Sequence, residues 1–298
     1  MSASGTTAPV AILGTGLIGG SLALALRQTG SAGPVTGPVV GWDRPEIVAR
    51  ALAQGVVDRT APTVEAACAG AATVVLALPV GVILDLLPRV AAAVPAGALI
   101  TDTGSTKRRI CTAAAAALAH RPDVSFLGGH PMAGRAQGGL EHAAAGLFAS
   151  APWLLVGDPE DAPPPARDWA ERLARCGARP LWTTAAIHDA ALARLSHLPQ
   201  LLSTALGLQL SEALAAHTSW AALRGAAGPG LRDMLRLAAS PYPLWRDIFL
   251  TNSDELDAAL AEIQQTLDWL RVHLRSRELE AAFAAAAAAI PPAPEMER

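Results

Sequence analysis

Residues 9–30, PVAILGTGLIGGSLALALRQTG, change period in the middle. The stretch opens as a short, uninterrupted apolar run, passes through Gly14, Gly16 and Gly19, and continues with apolar residues at helical spacing until Gly30. A buried strand, a glycine turn and a helix in direct succession predict a βα unit. The alternation repeats downstream. GPVVGWD (37–43) reads as a second strand and RPEIVARALAQG (44–55) as a second helix, with Gly55 just past its end. TVVLALPV (73–80) and ALITDTGS (98–105) are apolar runs that close on polar or turn residues, and PDVSFLGGHP (122–131), PWLLVGD (152–158) and ARPLWTT (178–184) supply further strands. Strands alternating with helices predict an α/β domain around a doubly wound, mostly parallel sheet covered on both faces.

From about residue 186 the strand signals stop. IHDAALARLSHLPQLLSTALGLQLSEALAA (187–216) and SDELDAALAEIQQTLDWLRVHLRSRELEAAFAAAAAA (253–289) read as long helices, so an all-helical domain follows. Two domains suit 298 residues. The proline-rich PEDAPPPARD (159–168) resembles a linker, but the helix and strand after it complete the first domain. The division is therefore 1–183 and 184–298, with the tail IPPAPEMER (290–298) expected to fray.

Apolar residues make up 51% of the chain and charged ones 16%, a balance that fits a compact globular protein and argues against disorder. The net charge of −3, without any Lys/Arg block, argues against a nucleic-acid partner. Cys68, Cys111 and Cys176 are odd in number and lack metal-type spacing, so they read as reduced thiols of a cytoplasmic protein that holds no metal. No signal peptide or membrane span is evident.

Gly14, Gly16 and Gly19 form GxGxxG between strand and helix, which defines a Rossmann dinucleotide-binding domain. The first glycine permits the tight turn, the second lets backbone approach a pyrophosphate, and the third lets helix pack on strand. Free N–H groups at the helix start, around Leu17 and Ile18, then face the anion. Asp43 closes the second strand, 29 positions after Gly14, with SAGPVTG (31–37) as an inserted loop. A carboxylate there accepts hydrogen bonds from an adenosine ribose and repels a 2′-phosphate, which favours NAD over NADP. Arg44 beside it could stack on adenine or meet a 2′-phosphate. Leu78 and Pro79, after the third strand, and Thr103, after the fourth, should border the cofactor, because ligands of such sheets lie outside the carboxyl ends of the strands.

Four polar groups remain: DTGSTK (102–107), His130 in GGHPMAG (128–134), SHLPQ (196–200), and the arginines of LRDMLRLAASPYPLWRDIF (231–249). The first two follow successive strands and should converge on the nicotinamide. A histidine near neutral pKa can take a proton from a hydroxyl carbon as hydride leaves for NAD, and Ser105 hydrogen-bonded to it would fix its tautomer. In this reading Gly128 and Gly129 turn the chain off a strand, Pro131 stiffens the loop, and Gly134 leaves room for substrate.

AILGTGLIGGSLALAL, ITDTGSTK, FLGGHPMAG, HDAALARLSHLP and PLWRDIF, in this order and spacing, resemble the TyrA family of prephenate and arogenate dehydrogenases, over about residues 10–255. The resemblance implies a helical domain through which two subunits dimerise, and NAD-linked oxidation of a cyclohexadienol with loss of its ring carboxylate. It implies that His130 accepts the hydroxyl proton, that Ser105 lies between His130, substrate and nicotinamide, that His197 shapes the substrate pocket, and that Arg236 binds a carboxylate. Arg246 reads as structural, paired with Asp247 or with a helix end, and Lys107 stays unassigned. His188 and Asp189 are placed at a helix start, where capping competes with substrate contact. One departure stands out: many prephenate-using relatives have SHLPH where this chain has SHLPQ. Gln200, neutral and carrying a carbonyl acceptor, penalises the ammonium of arogenate less than a chargeable histidine does, so both substrates stay open, prephenate being the commoner assignment.

Two rivals fail on particular residues. Dehydrogenases of the 3-hydroxyacid and 6-phosphogluconate types usually carry a catalytic lysine on a helix of the second domain, whereas the single lysine here, Lys107, lies in the first. A non-catalytic NAD sensor has no need of a proton acceptor beside the nicotinamide.

Overall fold

Val10–Leu13 (β1) are wholly buried, and they explain why the run is continuously apolar: Val10 and Ile12 enter the core on one face of the sheet, Ala11 and Leu13 the core on the other. The computed structural model describes residues 8–30, 33–34, 37–134, 138–217, 220 and 225–289. Helix α1 (Leu17–Arg27) follows, then a short antiparallel pair, β2 (Thr29–Gly30) with β3 (Gly33–Pro34), where the inserted loop was expected. Residues 31–32 and 35–36 of that insertion, like the tail 290–298, lie outside the described residues.

The domain continues through β4 (Val39–Trp42), α2 (Pro45–Ala53), β5 (Arg59–Thr60), α3 (Val64–Cys68), β6 (Thr73–Leu76), α4 (Val80–Ala93), β7 (Leu99–Asp102) and α5 (Arg108–Ala117). It ends with β8 (Ser125–Pro131), β9 (Pro152–Val156), α6 (Pro164–Arg175) and β10 (Arg179–Thr183). The strand order β10-β9-β8-β7-β6-β1-β4-β5 reverses direction of winding between β1 and β6, so the crevice opens beyond the ends of those two strands. Pairing is parallel from β5 to β8; β9 joins β8 antiparallel and β10 parallels β9.

The helical domain comprises α7 (Ala185–Leu192), a wide π-helical turn over Ala193–His197, α8 (Leu198–Ala216), α9 (Pro229–Leu235), α10 (Tyr242–Thr251), α11 (Ser253–His273) and α12 (Glu278–Ala288). Both long helices expected from the sequence are thus subdivided. The interface with the first domain is polar: Asp247 on α10 accepts from the amide of Gly81 at the start of α4 (2.9 Å), and Thr251 meets Thr106 (2.7 Å). Arg108 reaches Asp254 and Asn252. Among the described residues no helix is long and apolar enough to cross a membrane.

Candidate active site

Gly14 adopts φ +95°, and a Cβ there would collide with the carbonyl of Ala77, just past β6. A Cβ on Gly19 would collide with the Gly14 carbonyl, so the turn and the first helical turn are in backbone contact. Gly16 differs: a Cβ there would meet nothing within 4 Å. It is the N-cap of α1, and no side chain caps that helix. Two glycines therefore close the turn and the third leaves free space before uncapped amides, which fits a pyrophosphate. Leu17 and Ile18, half-buried, form the first turn of α1.

Asp43 lies against the same turn. Its Oδ2 accepts from the Thr15 amide (2.6 Å) and hydroxyl (3.2 Å), and its Oδ1 from the Arg44 amide (2.7 Å). Arg44 is exposed, with its guanidinium 3.7 Å from Glu46. Leu78 neighbours Gly14, Pro79 caps the start of α4, and the Thr103 amide donates to the Leu76 carbonyl (3.1 Å). All of the expected cofactor residues thus gather where β1, β4, β6 and β7 end, and they fit a dinucleotide.

His130 was expected in a loop. It lies in β8, which pairs with β7 only as far as Leu127 and then with β9 from Gly128 to Pro131, His130 facing Leu154 in register. The strand outruns its parallel neighbour, so His130 reaches past the end of its pairing with β7 while staying paired with β9 in extended backbone. The glycines before it serve close packing rather than turning. A Cβ on Gly129 would sit 2.6 Å from the Asp102 carbonyl oxygen, and one on Gly128 3.1 Å from the Cys111 sulfur.

Beneath His130 is a charge pair that the sequence did not disclose. Asp102 and Lys107 are both fully buried. The Lys107 ammonium donates to Asp102 Oδ2 and to the Gly129 carbonyl (2.8 Å), while Asp102 accepts from the amides of Gly129 (3.1 Å) and Gly104 (2.8 Å). Both backbone polar groups of Gly129 are therefore held by the pair, and Gly104, beside Ser105, by the same carboxylate. Ser105 is half-buried on this turn and has no hydrogen-bond partner among the described residues. The expected Ser105–His130 hydrogen bond is replaced by a contact with another histidine: His130 Nδ1 lies 2.9 Å from His188 Nε2.

His188 and Asp189 are likewise not at a helix start. Thr184 caps α7 by accepting from the Ile187 amide (3.2 Å), which puts His188 and Asp189 one turn in, buried. Asp189 does cap a helix, but a different one: it accepts from the amides of Lys107 (2.7 Å) and Arg108 (2.9 Å) at the start of α5. Its Oδ1 is also 2.8 Å from His188 Nδ1. Burial alone would raise the Asp189 carboxyl, but the His188 hydrogen bond and these amides outweigh it and hold it below 3.8.

His197 is buried where the π-helical turn meets α8, with Nδ1 3.3 Å from the Asn252 amide nitrogen and its ring edge-on to Trp245. Burial pushes it down to about 4. Burial likewise holds His188 below 6.5 and His130 well below it, the latter helped by His188, Lys107 and His197. All three are thus neutral at pH 7 when folded, whereas the unfolded chain takes up these protons as pH falls through about 6.5. Stability is therefore fully present above that value and is lost below it, by about 1.4 kcal/mol per pH unit for each proton. Thermal melts from pH 7 to pH 5, above the range where most carboxylates titrate, should show a falling Tm; a flat profile would contradict this electrostatic picture.

Gln200 is buried at the start of α8. Its amide nitrogen donates to the Leu237 carbonyl (2.9 Å) and to Thr204 (3.3 Å), while its Oε1 has no partner among the described residues. Arg236, next to Leu237, is exposed and borders a groove of about 470 Å³ with Gly207, Leu210, Leu214, Arg232 and Leu235. Gly134 is exposed at the edge of the segment 135–137, which lies outside the described residues. The hydrogen bonds and ion pairs join His130, His188, Asp189 and Lys107 into one cluster, with Asn252 linking His197 to the Asp189 carbonyl (2.9 Å). They do not extend to Arg236. Arg246 pairs with Asp247 (3.0 Å) as expected.

A dinucleotide cleft beside a buried, neutral histidine whose Nε2 has no partner among the described residues fits an NAD-dependent dehydrogenase. The chain matches the family descriptions "Prephenate dehydrogenase, nucleotide-binding domain" over residues 22–181 and "Prephenate dehydrogenase, dimerization domain" over 184–286. It belongs to the prephenate dehydrogenase family. It is 30% identical to a prephenate dehydrogenase of Lactococcus lactis subsp. cremoris, over 91% of this chain and 73% of that one. Among solved structures it is similar to prephenate dehydrogenase from A. aeolicus in complex with hydroxyphenyl propionate and NAD+ (TM-score 0.81, 25% identity, 95% and 97% of the chains). It is also similar to Synechocystis arogenate dehydrogenase (TM-score 0.78, 27% identity, 94% and 98%).

Proposed function

We propose that this chain converts prephenate to 4-hydroxyphenylpyruvate, with hydride passing to NAD and the ring carboxylate leaving as CO2. The observation that carries this reading is His130: neutral, with one ring nitrogen engaged by His188 and the other without a partner among the described residues, at the cofactor end of the sheet. Bound NAD supplies the hydride acceptor. His130 accepts the proton of the hydroxyl on the ring carbon that loses hydride, and Ser105 orients that hydroxyl from the β7–α5 turn. His197 shapes the pocket from the π-helical turn before α8, and Arg236 is assigned the substrate carboxylate, for which a guanidinium fork suits. Departure of CO2 makes the ring aromatic and the step effectively irreversible. NAD reduction measured with prephenate and arogenate side by side tests the reading; no turnover of either would overturn it.

One observation favours arogenate as a second substrate. Gln200 presents a buried, unpartnered carbonyl oxygen, an acceptor suited to an ammonium. Gln200→His should shift the ratio of the two kcat/KM values toward prephenate by about tenfold, or 1.4 kcal/mol. An unchanged ratio would remove Gln200 from substrate discrimination.

The division at 183/184 is supported by the end of β10 at Thr183 and the α7 cap at Thr184. The helical domain is proposed to form a homodimer. Its helices leave Leu208, Met234, Leu267, Val272 and Phe283 more than half exposed in a single chain, and α9 and α12 bury no residue at all. Three unpaired cysteines support a reducing, cytoplasmic setting.

A further inference from the structure

Asp189, His188 and His130 form a line of hydrogen bonds whose direction is determined at one end. Asp189 is a carboxylate and can only accept, so the proton in the 2.8 Å contact with His188 Nδ1 belongs to the histidine. A neutral imidazole protonated on Nδ1 has a bare Nε2. The 2.9 Å contact between that Nε2 and His130 Nδ1 must then be donated by His130. His130, being neutral, is left with its Nε2 unprotonated, and this is the nitrogen without a partner among the described residues. Both ends of the line are tied to one residue: the Lys107 amide donates to Asp189, while its ammonium holds the carbonyl of Gly129, next to His130.

We infer that His188 and Asp189 are positioning residues that set the tautomer of His130, keeping Nδ1 protonated and Nε2 free to take the hydroxyl proton of the substrate. The inference rests on the role proposed above for His130. In the step, the O–H bond breaks and an Nε2–H bond forms; the two Nδ1 protons stay on their own rings. The imidazolium that results still donates to His188, whose own ring stays anchored on Asp189, so the new charge is stabilised without proton transfer along the line. With the tautomer reversed, His130 would present a donor to the hydroxyl and could not act as base.

The test combines a spectrum with two variants. In 15N-histidine-labelled protein, two-bond 15N–1H correlations distinguish protonated from bare ring nitrogens; His130 is assigned among the seven histidines by its loss in His130→Asn. The expected result is Nδ1 protonated and Nε2 bare at pH 7. His188→Leu removes the acceptor and should release the tautomer, lowering kcat by about 10²-fold while substrate KM and NAD affinity stay within about twofold. His188→Gln puts a carbonyl oxygen near the former Nε2 and should restore both the Nδ1-protonated form and most of kcat. A wild-type His130 protonated on Nε2, or a His188→Leu enzyme with unchanged kcat, overturns the inference. If His188→Leu does not fold, the wild-type spectrum and His188→Gln decide it. The spectrum needs no substrate, so a correct tautomer in an enzyme that turns over neither substrate would count against the proposed reaction and leave the inference intact.

Discussion

His130→Asn should lower kcat by at least about 10³-fold while leaving NAD affinity within about twofold. Asparagine is chosen because its amide nitrogen lies near the place of the imidazole Nδ1. It can therefore keep the 2.9 Å contact with His188 Nε2 and the register of β8 on β9. What it removes is the far nitrogen, the group that would accept the hydroxyl proton. A positioned base contributes about 10²–10⁴-fold, and loss of the charge that forms on the ring should place this variant toward the upper end. The glycine turn and Asp43 lie at other strand ends and are untouched. Steady-state kinetics with prephenate, combined with NAD titration of the same preparation, read the two effects separately. A variant with full activity would exclude His130 as the base, and one that loses NAD binding as well would place His130 in the cofactor site instead.

The sequence made the sheet and cofactor cleft legible because both rest on local patterns. Continuous apolar runs report strands buried on both faces, and the GxGxxG spacing sits between a strand and a helix within one short stretch, Gly19 packing directly on the Gly14 carbonyl. The polar cluster beneath His130 was not legible for the opposite reason. Lys107 and Asp189 are 82 positions apart and meet only because α7 packs against the start of α5, so nothing in either neighbourhood reveals the cap. The strand-end loop expected for GGHPMAG failed because glycine and proline read as turn residues, whereas here Gly129 makes room for the Asp102 backbone and Gly128 for the Cys111 side chain. One signal could have been used further. A single lysine in a 298-residue chain, directly after a strand that ends in aspartate, is a candidate for a buried pair.

Lys107→Met should be the most destabilising single substitution in the first domain. The side chain is fully buried, and methionine matches much of its volume, so packing changes little. The electrostatic change is large: Asp102 keeps two backbone donors but loses its counter-ion in a site without water access, and breaking a buried pair from one side typically costs about 3–5 kcal/mol. For a domain of this size that corresponds to a fall in Tm of very roughly 10 °C. The loss should be largely recovered in the double variant Asp102→Asn, Lys107→Met, which removes both charges of the pair, and the non-additivity is itself the measure of the pair. Activity separates two roles. If Lys107 acts by holding the Gly129 carbonyl (2.8 Å), kcat of the double variant should remain low only to the extent that His130 shifts, with the pH dependence of the remaining activity unchanged. If Lys107 instead supplied the chemistry, as lysines of other two-domain dehydrogenases do, the double variant would regain its stability and stay inactive. The buried position, the hydrogen bonds to Asp102 and Gly129 and the place of Lys107 behind β8 all favour the first outcome.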